Sequence, residues 1–278
     1  MTTSTRPSVP PHGDKPSYSF DNNDPAAADR HNFLAEMLDE PTFARLSELG
    51  DLTGRRCLEL GAGGGSVARW LAARTGPTGT VVATDLNPRH IPDDPGYTVL
   101  RHDLKDPLPD GPWDLVHARL VLMHVPQRRE VMRRLVDALA PGGVLVIEDW
   151  LTSAGKLVLA APDDEAEALI DAYQETLVGQ VLTGNGTDST WAAHIHSVML
   201  AEGLVDVDTV IHSRSWPGGT AGALLVAANV AQVRTQMLTR GFTEPQLETL
   251  QRLVHDPRLV VRGHLTYSTV GWRDRAPG

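Results

Sequence analysis

Apolar residues fall into two rhythms along this chain. Over residues 25–50, Phe33, Leu34, Met37 and Leu38 recur at helical spacing, and Phe43, Leu46 and Leu49 do so again. Pro41 can open a helix and Gly50 can close one, so the spacing predicts two helices there. A short apolar run over 56–60 follows, then a glycine-rich loop, then a helical pattern over 66–75 with Val67, Trp70 and Leu71 on one side. The alternation continues with short β-branched or apolar runs over 80–84, 97–101, 113–118 and 144–147, and a helix over 126–140. Continuous apolar strands separated by helices predict a parallel sheet covered on both faces.

After Trp150 the rhythm changes. Residues 163–182 and 188–202 read as two helices with no strand between them. A strand over 204–212, helices over 221–240 and 244–255, and a last strand over 259–270 complete the chain. That last segment, LVVRGHLTYSTV, alternates and suits an antiparallel partner at the end of the sheet. The expected organisation is a flexible leader over 1–20 and one α/β domain over 21–278. Within it lie N-terminal helices (25–50), a core (51–150), a helical cap (151–203) and the segment completing the sheet (204–278).

Composition narrows the function. No apolar run reaches the ~20 residues that a membrane-spanning helix needs. Cys57 is the single cysteine, which excludes an intrachain disulfide and a cysteine-ligated metal cluster and suits a reducing cytoplasm. The formal net charge of −10 argues against a polyanionic partner such as nucleic acid and for a small molecule. Oligomeric state is not written in the sequence.

The chemistry begins at CLELGAGGGSVARWLA. Four glycines among residues 61–65 join the end of a strand to the start of a helix, where open α/β sheets bind ligands. Glycine there lets a ligand approach the backbone. No Gly-Lys-Ser/Thr follows, so this is not a triphosphate loop, and Ser66 stands where a dinucleotide loop has its third glycine. The loop reads Glu59-x-Gly61-x-Gly63-x-Gly65.

At these residues the chain resembles class I S-adenosylmethionine-dependent methyltransferases of the bacterial small-molecule, natural-product tailoring type. The likeness runs from about Arg55 to Trp150. It includes Asp85 ending the second strand, Asp103 after the third, the WDLVHARLVLMHVP segment and LAPGGVLVIED. The resemblance implies a Rossmann-like, mostly parallel seven-stranded sheet with an antiparallel last strand. It implies S-adenosylmethionine as cofactor; no metal is expected, because Glu148 and Asp149 at the end of the fifth strand have no third carboxylate in a recognisable place beside them. It places the methionine portion against Gly61, Gly63 and Gly65 with Glu59 near its ammonium. Asp85 then takes the ribose diol with Leu86 beside it, and Asp103 and Leu104 take the adenine.

Acceptor-side candidates follow from the strand ends. His117 and Arg119 are two apart on a strand, so both can face one pocket, His117 as a base and Arg119 toward an anionic acceptor or the cofactor. His124 reads as a buried histidine bonded to backbone. Glu148 ends the fifth strand. Trp191 and His194, three apart, can share a helix face in the cap, and Tyr18 can close over the cofactor. The aromatic residues Tyr173, Trp191 and Trp216 suggest a hydrophobic or aromatic acceptor, methylated on O, N or C. The alternatives are a nucleic-acid or protein methyltransferase, a nicotinamide-dependent oxidoreductase, and a non-catalytic cofactor-binding module.

Overall fold

The computed structural model describes residues 19–275, so most of the expected leader, Tyr18 included, lies outside the described residues. The first element, α1 (Ala27–Ser47), is one helix rather than the expected two, with Pro41 inside it. Proline removes a backbone donor and in a helix interior costs about 3 kcal/mol. Tertiary bonds on both sides of it hold the helix. Asp39 accepts from Arg119 and Ser66, and Thr42 donates to Glu148.

The core alternates as its apolar runs predict. β1 (Arg56–Leu60), α2 (Ser66–Thr75), β2 (Thr80–Asp85), β3 (Thr98–Arg101), β4 (Trp113–Arg119), α3 (Arg128–Asp137) and β5 (Leu139–Leu151) follow in order. The remainder comprises β6 (Val158–Ala160), α4 (Asp164–Thr176), α5 (Ile195–Ala201), β7 (Val205–His212), β8 (Ser215–Pro217), α6 (Ala221–Leu238), α7 (Glu244–Leu253), β9 (Val260–Arg262) and β10 (Leu265–Trp272). The main sheet has seven strands in the order β3-β2-β1-β4-β5-β10-β7. β10 runs antiparallel to both β5 and β7, and the other pairs are parallel. This is the Rossmann-like sheet with an antiparallel last strand.

Alternation along the strands divides the core in two. Cys57, Leu115, Val144 and Val146 point to one face and pack with Leu46 of α1 and Val67 and Leu71 of α2. Leu58, Leu60, Val116, Ala118, Leu145 and Ile147 point to the other, with Val131 and Leu135 of α3 and Ile195 of α5. The first face carries the buried polar residues at the strand ends, and α1 covers them.

The part after β5 departs from the pattern-based reading in three places. The expected last strand is two strands. β9 joins β6 and β8 in a separate three-stranded sheet, and only β10 enters the main one. The chain breaks at Gly263, where a Cβ would stand 3.2 Å from Trp216 Nε1. The helix expected over 163–182 is α4, capped by the Asp163 carboxylate accepting from Ala166 N–H, followed by a π-helical turn over Leu177–Leu182. The helix expected over 188–202 is a 3₁₀ turn, Trp191–His194, followed by α5. The cap therefore draws on two segments: β6 and α4 before α5, and β8, α6, α7 and β9 between β7 and β10. α5 itself packs on the sheet.

Candidate active site

The loop after β1 is shaped by its glycines. Gly61, Gly63 and Gly65 have φ of +62°, +56° and +77°, a region that residues with a Cβ rarely adopt. Close neighbours reinforce the requirement. A Cβ on Gly61 would stand 2.4 Å from Val121 Cγ2, and one on Gly63 would stand 3.0 Å from His31 Nδ1. Val121 follows β4 and His31 lies on α1, so a helix and a second strand end close over the loop.

Asp85, the last residue of β2, faces this loop. Gly63 N–H donates to its Oδ2 at 3.0 Å, and Asn87 N–H donates to its Oδ1 at 2.9 Å. The Asn22 amide also donates to Oδ1, at 3.3 Å. Burial raises the Asp85 pKa, while the bonds from Asn87 and Gly63 and the nearby His90 oppose that shift. Beside it Leu86 is half exposed, at 49%, an apolar surface at a polar strand end. Asp103 caps its own turn by accepting from Lys105 N–H at 3.0 Å, and Leu104 behind it is buried.

A second cluster lies next to the loop, on the face under α1. Register sets Glu59 opposite His117, and Arg119 opposite Glu148. Glu59 Oε2 is 2.6 Å from His117 Nδ1, and Glu148 Oε2 is 3.4 Å from His117 Nε2. Thr42 O–H donates to Glu148 Oε2 at 2.5 Å. Arg119 donates to Thr42 Oγ1 at 3.0 Å and to Asp39 Oδ1 at 2.9 Å, and Ser66 O–H donates to the same Asp39 oxygen at 2.9 Å. His117 has no exposure. Burial alone would push its imidazole down. The Glu59 charge, the bonds to Glu148 and Glu59, and the Glu148 charge outweigh burial and hold its pKa up at about 9. Burial likewise works against the Glu148 anion, yet His117, Arg119 and Thr42 hold its carboxyl down at about 2.

Asp149 turns to the opposite side of β5. Its carboxylate accepts from the backbone N–H groups of Val121 and Met123, both at 3.1 Å, and so fixes the segment after β4 that closes on Gly61. Burial pushes this carboxyl up to about 8 despite those two bonds. His124 Nδ1 pairs with Thr187 Oγ1 at 2.9 Å, and its ring is buried as expected. Burial first, then Arg30 and Arg128, hold its pKa down at about 3.

The structure thus brings Glu59, Gly61, Gly63, Gly65, Asp85, Leu86, His117, Arg119 and Glu148 to the same end of the sheet. His117 and Arg119 share a face, as alternation requires. That face is covered by α1, so His117 is enclosed by carboxylates rather than open to a pocket. Trp191 is buried on the opposite face, with the guanidinium carbons of Arg128 and Arg129 both 5.9 Å from its ring centre. His194 is solvent-exposed at the end of that 3₁₀ turn, and the structure does not bring it to the cluster. Asn22, His31, Asp39 and Thr42 contribute contacts that no local pattern marks, whereas Ser66 and Val121 lie within the two segments that the sequence singles out.

The residues fit an S-adenosyl group. The glycine cradle of Gly61, Gly63, Gly64 and Gly65, the Asp85 carboxylate beside it and the exposed Leu86 suit methionine backbone, ribose diol and adenine in turn. Among the described residues no hydrogen bond engages Glu59 Oε1, which leaves an acceptor for an ammonium.

Fold and site together define a Rossmann-like sheet with a glycine cradle after its first strand and a carboxylate, Asp85, facing that cradle from the end of the second. Residues 27–188 match the family model described as a methyltransferase domain. The chain belongs to this methyltransferase family, whose cofactor is S-adenosylmethionine. It is 34% identical over 123 residues to the methyltransferase str3 of Strobilurus tenacellus, covering 43% of each chain. It is 31% identical over 110 residues to the trans-aconitate 2-methyltransferase of Mycobacterium tuberculosis, covering 39% of this chain and 42% of that one. These matches span less than half the length of either relative. A solved Bacillus halodurans protein, described as a candidate methyltransferase, superposes with a TM-score of 0.53 at 16% identity, over 83% of this chain and 98% of that one, and shows the shared fold.

Proposed function

We propose that this chain transfers a methyl group from S-adenosylmethionine to a nucleophilic O, N or C atom of a small-molecule acceptor. The observation that carries the reading is the junction of the glycine cradle with Asp85. A carboxylate held by Gly63 and Asn87 presents acceptor oxygens to a diol at the point where the loop leaves room for backbone contact.

When bound, the cofactor supplies an electrophilic methyl sulfonium, and its transfer is an in-line displacement that depends on positioning. The chain's residues supply that positioning. Asp85 accepts the two ribose hydroxyls, with the Asn22 amide, the longest of its three donors, giving way. Glu59 Oε1 accepts from the ammonium. Leu86 and Leu104 give apolar contact to adenine, and Asp103 accepts its amino group. Asp149 holds Val121 against Gly61 and so keeps the cradle closed behind the methionine chain.

A small acceptor is favoured by the net charge of −10, which repels polyanions. The Mycobacterium relative named for trans-aconitate is also a small-molecule enzyme by its name. The aromatic lining suits a hydrophobic or aromatic acceptor. Trp150 and Trp216 line a cavity of about 310 Å³ between α1 and the β5–β10–β7 edge, with Met37, Leu38, His212 and His264. Incubation with methyl-labelled cofactor and a panel of phenolic, indolic and carboxylic compounds tests the reading. Label transferred to at least one member is the expected result. Label found only on nucleic acid or protein would contradict the small-molecule acceptor.

A further inference from the structure

The carboxylate–imidazole–carboxylate row lies on a face that is otherwise apolar. Cys57, Leu115 and Val144 flank it below, and α1 closes it above. Glu59 is 2% exposed and His117 and Glu148 are 0% exposed, so no solvent screens them. Two carboxylates and one imidazole in such a space have few stable charge states. A neutral imidazole carries one N–H, so one of the two carboxylates would face a ring lone pair across a dry contact. With a protonated imidazole, Nδ1–H donates to Glu59 Oε2 and Nε2–H points to Glu148 Oε2, so each carboxylate faces a donor.

The remaining groups facing this row agree. On α1, Thr42 donates to Glu148 and Asp39 pairs with Arg119. On β4, the Arg119 charge lies toward Glu148 and helps to lower its pKa. On β7, burial lowers the His212 pKa while the Glu148 charge opposes that shift. Glu59 Oε2 is committed to His117, which fixes the rotamer of the side chain and leaves Oε1 as its one available acceptor.

We propose that His117 is a positioning residue for donor binding: as an imidazolium between Glu59 and Glu148 it holds the Glu59 side chain turned so that Oε1 receives the donor's ammonium. Through Thr42 and Arg119 the same row ties that carboxylate to α1, the helix whose His31 lies against Gly63. The inference rests on the methyl-transfer reading of the site. It assigns His117 a role in holding charge and geometry, and no proton transfer with the acceptor.

The test is calorimetric titration of S-adenosylhomocysteine into the full chain between pH 6.5 and 10. Wild type, His117→Gln and Glu148→Gln are compared, and the His117 ring is followed by carbon and nitrogen NMR. The ring should be protonated at pH 7.5, and affinity should be at least tenfold weaker in His117→Gln at that pH. In Glu148→Gln the fall of affinity with pH should begin at least one unit lower than in wild type. The ligand's own amine titrates identically in each protein, so the difference reads the imidazole. Wild-type affinity in His117→Gln, or identical pH profiles for wild type and Glu148→Gln, would overturn the proposal. If His117→Gln does not fold, the wild-type ring spectrum decides, because a neutral ring at pH 7.5 overturns it. Wild type that binds no S-adenosylhomocysteine, with a protonated ring, would instead overturn the methyl-transfer reading.

Discussion

The Gly63 backbone N–H donates to Asp85 Oδ2 at 3.0 Å, and this bond joins the loop after β1 to the end of β2. The two residues that would hold the cofactor thus also hold each other. Asp85→Ala removes both the ribose acceptor and this brace. Charge-assisted bonds contribute about 1.5–3 kcal/mol each, so S-adenosylhomocysteine affinity should fall at least tenfold. The empty protein should melt a few degrees lower, since about 1 kcal/mol moves the midpoint by roughly 2–4 °C in chains of this size. Titration calorimetry and a thermal melt read the two effects separately. Unchanged affinity would mean that the ribose is held elsewhere.

Gly61 meets two constraints at once. Its φ is +62°, and a Cβ would stand 2.4 Å from Val121 Cγ2. Left-handed backbone costs an L-residue about 1–2 kcal/mol, and the overlap adds to it. Gly61→Ala should lower stability by at least that amount in urea unfolding. The double variant with Val121→Ala should recover the part due to overlap and not the part due to φ. Full recovery would show that the backbone conformation itself carries no strain.

His117 predicts a pH dependence with a definite sign. Its folded pKa is raised to about 9 from an ordinary value near 6.5. Its contribution to stability is therefore complete below about pH 6.5 and is lost as pH rises through 9. The stability difference between wild type and His117→Gln should be largest near pH 6 and shrink toward pH 10. A difference that stays constant would mean that the ring is neutral throughout.

His264 predicts the opposite sign. Its ring lies 4.9 Å from that of Trp150, and burial, with Arg262, lowers its pKa to about 4. A histidine depressed in this way favours the folded state above pH 6.5, and that stability is lost as pH falls through 4. His264→Phe should therefore resist acid better, with an unfolding midpoint at lower pH than that of wild type. An unchanged midpoint would place the acid-sensitive group elsewhere.

The parts of the site that lie close together along the chain are legible in the residue pattern. Glu59, the glycines and Asp85 belong to one strand–loop–helix–strand unit, and the spacing alone places them at one sheet end. Alternation alone places His117 and Arg119 on one face. What covers that face is not legible there, because the contacts are remote. Asp39 is 80 residues from Arg119, and Thr42 is 106 residues from Glu148. Pro41 misleads for the same reason, since its helix-breaking tendency is local and the bonds overriding it are not. Trp191 and His194 have helical spacing, but spacing does not reveal which sheet face a helix covers. The split of 259–270 into β9 and β10 depends on Gly263 approaching Trp216, a contact that alternation does not encode.

The proposed methyl transfer stands or falls on whether the Gly61–Gly65 cradle with Asp85 holds an S-adenosyl group. Titration calorimetry of the purified chain with S-adenosylhomocysteine and, separately, with NAD tests it most directly. The expected result is one-to-one binding of S-adenosylhomocysteine, weakened at least tenfold by Asp85→Ala, and no heat with NAD. Saturable NAD binding with no response to S-adenosylhomocysteine would contradict it.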